Sequence, residues 1–159
     1  MPFTPFHLGP ALFFSGLGGK RVNLAAIVLG SIIIDVRAAY CIFAGCRPLH
    51  GPMHTFAAAA IIALLISAAL YSQRGILQRI TDTLGLKQNY SILTIVSSSL
   101  IGTWSHVLLD SFLYNDIVPL CPLNSNPFLG LVGAGTMYSA CLLAFFIGIG
   151  IYLYMYLKK

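Results

Sequence analysis

The chain is predicted to be an all-α integral membrane bundle of four to five transmembrane helices, and three observations predict it. Of 159 residues, 58% are hydrophobic and only 8% charged, and the mean hydropathy is +0.87, far above ordinary soluble domains. The apolar segments are spread along the whole length, and no polar stretch is long enough to fold alone, so residues 1–159 read as a single membrane domain. The nine Lys and Arg sit at the ends of apolar runs, as topology signals do. The net charge of +5 is therefore not a nucleic-acid footprint, and no basic and aromatic interleaving of that kind occurs. Met1 to Pro10 lacks a basic n-region and a small-residue cleavage site, so it is not expected to be a removed signal peptide.

The first apolar segment, about 6–19, carries His7 and Pro10; fourteen helical residues reach roughly 21 Å against a core of about 30 Å, so it is short, tilted or re-entrant. The second, about 22–45, holds Asp35 and Arg37 inside Ile-rich sequence. The third, about 52–72, opens with Pro52 in a favourable first-turn position and continues as an Ala and Leu run. Residues 73–90 form the most polar connection. The fourth segment, about 91–114, ends on His106 and Asp110. A loop rich in Pro, Asn and Gly follows, and the fifth segment, about 136–156, is uncharged helix with Tyr near its end, the composition of a scaffold.

If five segments alternate, seven of the nine basic residues fall on one side, at Lys20 and Arg21, at Arg74, Arg79 and Lys87, and at Lys158 and Lys159. That side, with the C-terminus, is expected to be cytoplasmic. All four histidines then lie in the outer half of the membrane or at its outer edge, with Asp110 beside them and Asp35 nearer mid-depth. Depths counted at 1.5 Å per residue differ by roughly 10 to 15 Å, which tilt has to close.

His106 and Asp110 are four residues apart and share a helix face, and neither belongs in lipid, where an ionisable residue costs roughly 3 kcal/mol. His and carboxylate together suit zinc or another first-row divalent ion. His50 and His54 have the same spacing, provided the third helix begins early enough to include both. Five or six candidate ligands exceed the needs of one zinc, so either two metals bind or some of these groups orient ligands and act as bases. Each residue also has a plainer reading: histidines hydrogen-bonded across helices, Asp35 neutralising Arg37, Asp110 at a rim. Cys41, Cys46, Cys121 and Cys141 lack metal spacing; Cys46 and Cys121 lie in outward loops and are a candidate disulfide in an oxidising compartment. Ser97 to Ser99 lack the context of a nucleophile and read as helix-packing residues.

Five blocks occur in order: Met-Pro-Phe-Thr-Pro-Phe-His7, Ile-Ile-Ile-Asp35, Leu-His50-Gly-Pro-Met-His54-Thr-Phe, Ser105-His106-Val-Leu-Leu-Asp110 and Pro119-Leu-Cys-Pro-Leu-Asn. In this the chain resembles the small membrane-bound metal-dependent hydrolases, over nearly its full length. The resemblance implies a polytopic helical protein with a zinc site and hydrolase activity, and metal positions at His7, Asp35, His54, His106 and Asp110, with His50 nearby. Many of those proteins carry a second acidic residue where this chain has Arg37, and an Arg where it has Gly51.

The functional expectation is a zinc-like divalent site opening toward the outer leaflet, where a metal-activated water attacks a lipid-like ester, amide or phosphoester. The chain contains no Glu, so the general base is the metal hydroxide or an Asp or His, with Asp35, Asp110 and His50 as candidates. Arg37 and Arg47 are candidate binders of a substrate phosphate. The expected partners are membrane lipids, and no nucleic acid; an oligomer or a partner subunit stays open. The alternative class is a small non-enzymatic membrane subunit whose His and Asp hold metal structurally, contact a partner helix or carry ions. Closed four-ligand coordination would favour it.

Overall fold

The computed structural model describes residues 5–158, so Met1 to Thr4 of the first sequence block and Lys159 of the basic tail lie outside the described residues. Among the described residues the fold is all helical and contains no strand. Its α-helices are α1 (Pro5–Gly18), α2 (Leu24–Ile33), α3 (Val36–Ala44), α4 (Phe56–Ser72), α5 (Arg74–Thr83), α6 (Ile92–Ser111) and α7 (Ala134–Leu157). Three helices begin on a side-chain oxygen that accepts an otherwise unpartnered backbone N–H: Asn23 from Ala26 for α2, Thr55 from Ala58 for α4, and Ser91 from Thr94 for α6.

Leu24–Ala44, Ile92–Ser111 and Ala134–Leu157 are each long and apolar enough to cross a bilayer. Phe56–Ser72 with Arg74–Thr83, bent by 74°, makes a fourth if the pair is one span. These helices are compatible with a multi-pass membrane protein. Large side chains such as Phe43, Leu65 and Phe146 are exposed around the bundle, where lipid would cover them.

α6 packs along α2 on one side and α4 on the other; α1 lies against α2 and α7. The α2–α6 approach depends on two glycines. A Cβ on Gly30 would sit 2.7 Å from the Ser99 carbonyl oxygen, and one on Gly102 would meet the Ile27 carbonyl. α7 buries little beyond Met137, Cys141 and Gly148, consistent with the scaffold role read from its composition.

Local structure departs from the sequence reading in four places. The second apolar segment is interrupted at Ile34 and Asp35, where Asp35 N–H bonds the Ile32 carbonyl at 3.1 Å before the helix resumes. The third helix begins at Phe56, because Gly51–His54 form a 3₁₀ turn ahead of it. The polar connection contains helix α5. Finally, Cys46 pairs with Cys41, and Cys121 is a free exposed thiol. Gly45 in the left-handed conformation (φ 70°) ends α3 and folds the chain back, so the two Cα atoms come within 4.7 Å.

Candidate metal centre

Three places in the fold deliver four ligand residues to a single buried point. Asp35 arrives from the break after α2, His54 from the 3₁₀ turn before α4, and His106 and Asp110 from the last turns of α6. Their ligand atoms all lie within 4.8 Å of one another, and all four residues are buried. α2 and α6 run parallel and bring their C-terminal ends to the centre, where the N-terminal ends of α1 and α4 meet them.

The protonation of the two imidazoles follows from their outer partners. His106 Nδ1 lies 2.6 Å from the Ser31 carbonyl and His54 Nδ1 lies 3.0 Å from the His50 carbonyl. A carbonyl only accepts, so each Nδ1 carries a proton and donates it. In the neutral imidazole this leaves Nε2 as a lone pair aimed at the centre, the arrangement that metal-bound histidines use.

The four Nε2-to-carboxylate separations are 3.5 Å (His54–Asp35), 3.5 Å (His54–Asp110), 3.3 Å (His106–Asp35) and 3.2 Å (His106–Asp110). A tetrahedron with bonds of about 2.0–2.1 Å has edges of about 3.3–3.4 Å. None of His54 Nε2, His106 Nε2, or the Asp110 oxygens has an aligned hydrogen bond despite full burial. Buried polar atoms are ordinarily partnered. Here the donor set and spacing fit a divalent ion, and this group can hold one.

His7 stands beside the four. Its Nε2 is 3.2 Å from Asp110 Oδ1, its ring stacks on His106 at 3.9 Å, and neither ring nitrogen has a hydrogen-bond partner. A small cavity of about 10 Å³, lined by Phe6, Leu109, Leu113, Met137 and Tyr138, borders His7 and Asp110 and has room for about one water.

A family model described as a domain of unknown function, DUF4184, matches residues 1–118. The chain belongs to this DUF4184 family. The matched stretch runs from before His7 to beyond Asp116 and so contains every residue of the centre, while α7 lies outside it. No curated protein and no solved structure matches the chain.

Other residues singled out in the sequence lie around the centre. His50 is off it: Nδ1 meets Asp116 Oδ1 at 2.7 Å, the ring packs against Tyr114 at 4.5 Å and against His54 at 4.7 Å, and its backbone carbonyl accepts from His54 Nδ1. On a 3₁₀ turn, residues i and i+4 do not share a face, which is why the His50 and His54 rings meet edge-on. Arg37 donates to the Pro48 and Leu49 carbonyls at 2.8 Å each, and its guanidinium fills the space beside Gly51 (φ 54°). It clamps the loop that carries His50. Arg47 is exposed on the same loop.

Sequence reasoning missed Asp116, although it is one of only four acidic residues in the chain. Burial alone would raise the Asp116 carboxyl, yet the His50 hydrogen bond outweighs it and holds the group below the usual carboxylate range. A lowered folded value contributes stability above the unfolded pKa near 4, lost as pH falls through the folded value. Asp116→Asn is therefore expected to lower the thermal midpoint at pH 7, with the deficit closing as the pH drops below about 4. A deficit independent of pH would show that the charge plays no part.

Proposed function

We propose that the protein is a membrane-bound metal-dependent hydrolase that holds zinc on Asp35, His54, His106 and Asp110 and cleaves a lipid-like ester, amide or phosphoester. Such an ion, when bound, acidifies a coordinated water and polarises the oxygen of the bond to be broken. Two carboxylates and two neutral imidazoles balance its 2+ charge, which suits a site inside an apolar bundle. Membrane insertion would use α1, α2 with α3, α4, α6 and α7 as four to five spans. Lys20, Arg21, Arg74, Arg79, Lys87 and Lys158 lie at the end remote from the centre, and the Cys41–Cys46 disulfide lies at the near end. Both favour an extracytoplasmic site and a cytoplasmic C-terminus.

The observation that carries hydrolysis is His7. Beside the four ligand residues it is a buried imidazole with both ring nitrogens unpartnered, and its Nε2, 3.2 Å from Asp110 Oδ1, can hold or move a proton next to the centre. The second reading, a structural ion in a non-enzymatic subunit, draws on those same four separations, which fit closed coordination.

His7→Ala separates the two. It is expected to keep the metal, measured by mass spectrometry, while hydrolysis of p-nitrophenyl esters and bis-p-nitrophenyl phosphate by the zinc-loaded protein falls by about 10²-fold or more. Stoichiometric metal with no hydrolysis by the parent protein would establish the structural reading instead.

A further inference from the structure

The bundle end remote from the metal centre carries a second, independent construction around α5. Along this helix and its C-terminal cap, Ile76, Ile80 and Leu84 recur every four residues, and each is more than half exposed. Arg74, Gln78 and Asp82 recur with the same spacing about half a turn away, and they line a cleft of about 780 Å³ together with Lys20 and Lys87. Between the two stripes, Leu77 packs on the core formed by Ala26, Leu70, Tyr90 and Ile95. α5 leaves α4 at 74°, where the apolar run ends. A short amphipathic helix turned across the end of a membrane bundle is the arrangement of an interfacial helix.

The cleft walls are fixed from within. Asn23 Nδ2 donates to the Asn89 carbonyl at 3.1 Å, Leu24 N–H donates to Gln88 Oε1 at 2.9 Å, and Tyr90 Oη meets Thr81 Oγ1 at 3.2 Å. Arg74 is held over the Tyr71 ring at 4.1 Å and donates to the Tyr71 carbonyl. Every ion pair among the described residues is a His–Asp pair at the other end of the bundle. Three cations and one carboxylate therefore face this cleft with no ion pair between them, leaving it net positive.

We propose that this cleft binds the phosphate head group of an anionic phospholipid of the adjoining leaflet. Lys20, Arg74 and Lys87 would receive the phosphate, and Gln78 and Asp82 would take hydrogen bonds from the rest of the head group. A free phosphate-bearing anion offers the same chemistry. The lipid is the favoured source because the opposite stripe of α5 is apolar and exposed, so the cleft wall itself rests at the bilayer surface.

The test compares two charge-matched triple variants by native mass spectrometry of lipid retained from nanodiscs of phosphatidylglycerol with phosphatidylcholine. Lys20→Gln with Arg74→Gln and Lys87→Gln removes the cleft cations. Arg21→Gln with Arg79→Gln and Lys158→Gln removes three cations of the same end that lie outside the cleft. The parent protein is expected to retain phosphatidylglycerol selectively, with retention about tenfold lower or more in the cleft variant. The outside variant is expected to stay close to the parent. Equal losses in both variants would overturn the proposal in favour of general surface attraction. Displacement of the lipid by millimolar glycerol phosphate or inorganic phosphate would overturn the lipid as the source. Because Arg74 also holds Tyr71, the Lys20→Gln and Lys87→Gln pair gives the second readout, a partial loss with unchanged helical circular dichroism. Full retention in that pair would likewise overturn the proposal.

Discussion

His106→Ala is expected to empty the metal centre and to remove the protein's sensitivity to chelator in the same step. His106 makes the two shortest nitrogen-to-carboxylate separations of the group, 3.3 and 3.2 Å, and its Nδ1 is fixed on the Ser31 carbonyl. Loss of an outer hydrogen-bond partner alone costs 10–100-fold in metal affinity, so loss of the ligand itself should cost at least about a hundredfold. A ligand present at a hundred times its dissociation constant stabilises the folded state by about 2.7 kcal/mol. The parent protein should therefore lose thermal stability when stripped of metal, and His106→Ala should start near that lower midpoint and not respond.

A competing arrangement exists for the same atoms. Two imidazolium ions and two carboxylates would also balance in charge and need no metal. That network predicts a parent protein whose midpoint is unaffected by chelator and which retains no zinc after exposure to it. It also requires Nε2–H groups aligned on the carboxylate oxygens, and at 3.2–3.3 Å the His106 Nε2 contacts lack that alignment. Asp110→Ala tests the same point from the other side: it removes a ligand without disturbing the Ser31 contact, and it too should release the metal.

Much of this centre was legible because ionisable residues are so scarce in the chain. With only four acidic residues and four histidines in an apolar sequence, the His106 and Asp110 spacing selects the site almost by itself. Charge asymmetry then brought His7, His54 and Asp35 toward it. What the sequence could not carry was backbone geometry at the ends of helices. The His50 and His54 spacing makes a helical pair only if the third helix starts before His50, and the 3₁₀ turn ahead of Phe56 means that it does not. A disulfide between Cys41 and Cys46 makes no sense inside a continuous helix, where five residues rise about 7.5 Å; Gly45 breaks that helix. α5 was hidden because its apolar and charged residues average to a polar composition, although their four-residue recurrence separates them into stripes. The Ser31 carbonyl had no signal at all, since its role depends on how closely α2 meets α6.

That closeness predicts the second large effect. Gly102→Ala should lower both stability and metal content, although Gly102 touches no ligand. The added Cβ would collide with the Ile27 carbonyl and lie 3.1 Å from Gly30 Cα, and both obstacles are helix backbone. Neither can rotate away, so α2 and α6 have to separate. Asp35 follows α2, His106 and Asp110 belong to α6, and Ser31, next to Gly30, holds His106 across the same seam. Separation therefore stretches the 3.3 Å Asp35–His106 edge and the 2.6 Å Ser31 contact together. Overpacking of this kind costs about 1–3 kcal/mol, against a helix-propensity gain of at most about 1 kcal/mol from removing a glycine. Gly150→Ala isolates the propensity gain: Gly150 also lies in a helix, with open space where its Cβ would be. It should leave metal content unchanged and raise the thermal midpoint slightly. If Gly102→Ala proved as harmless as Gly150→Ala, the α2–α6 seam would not be what holds the ligands in register.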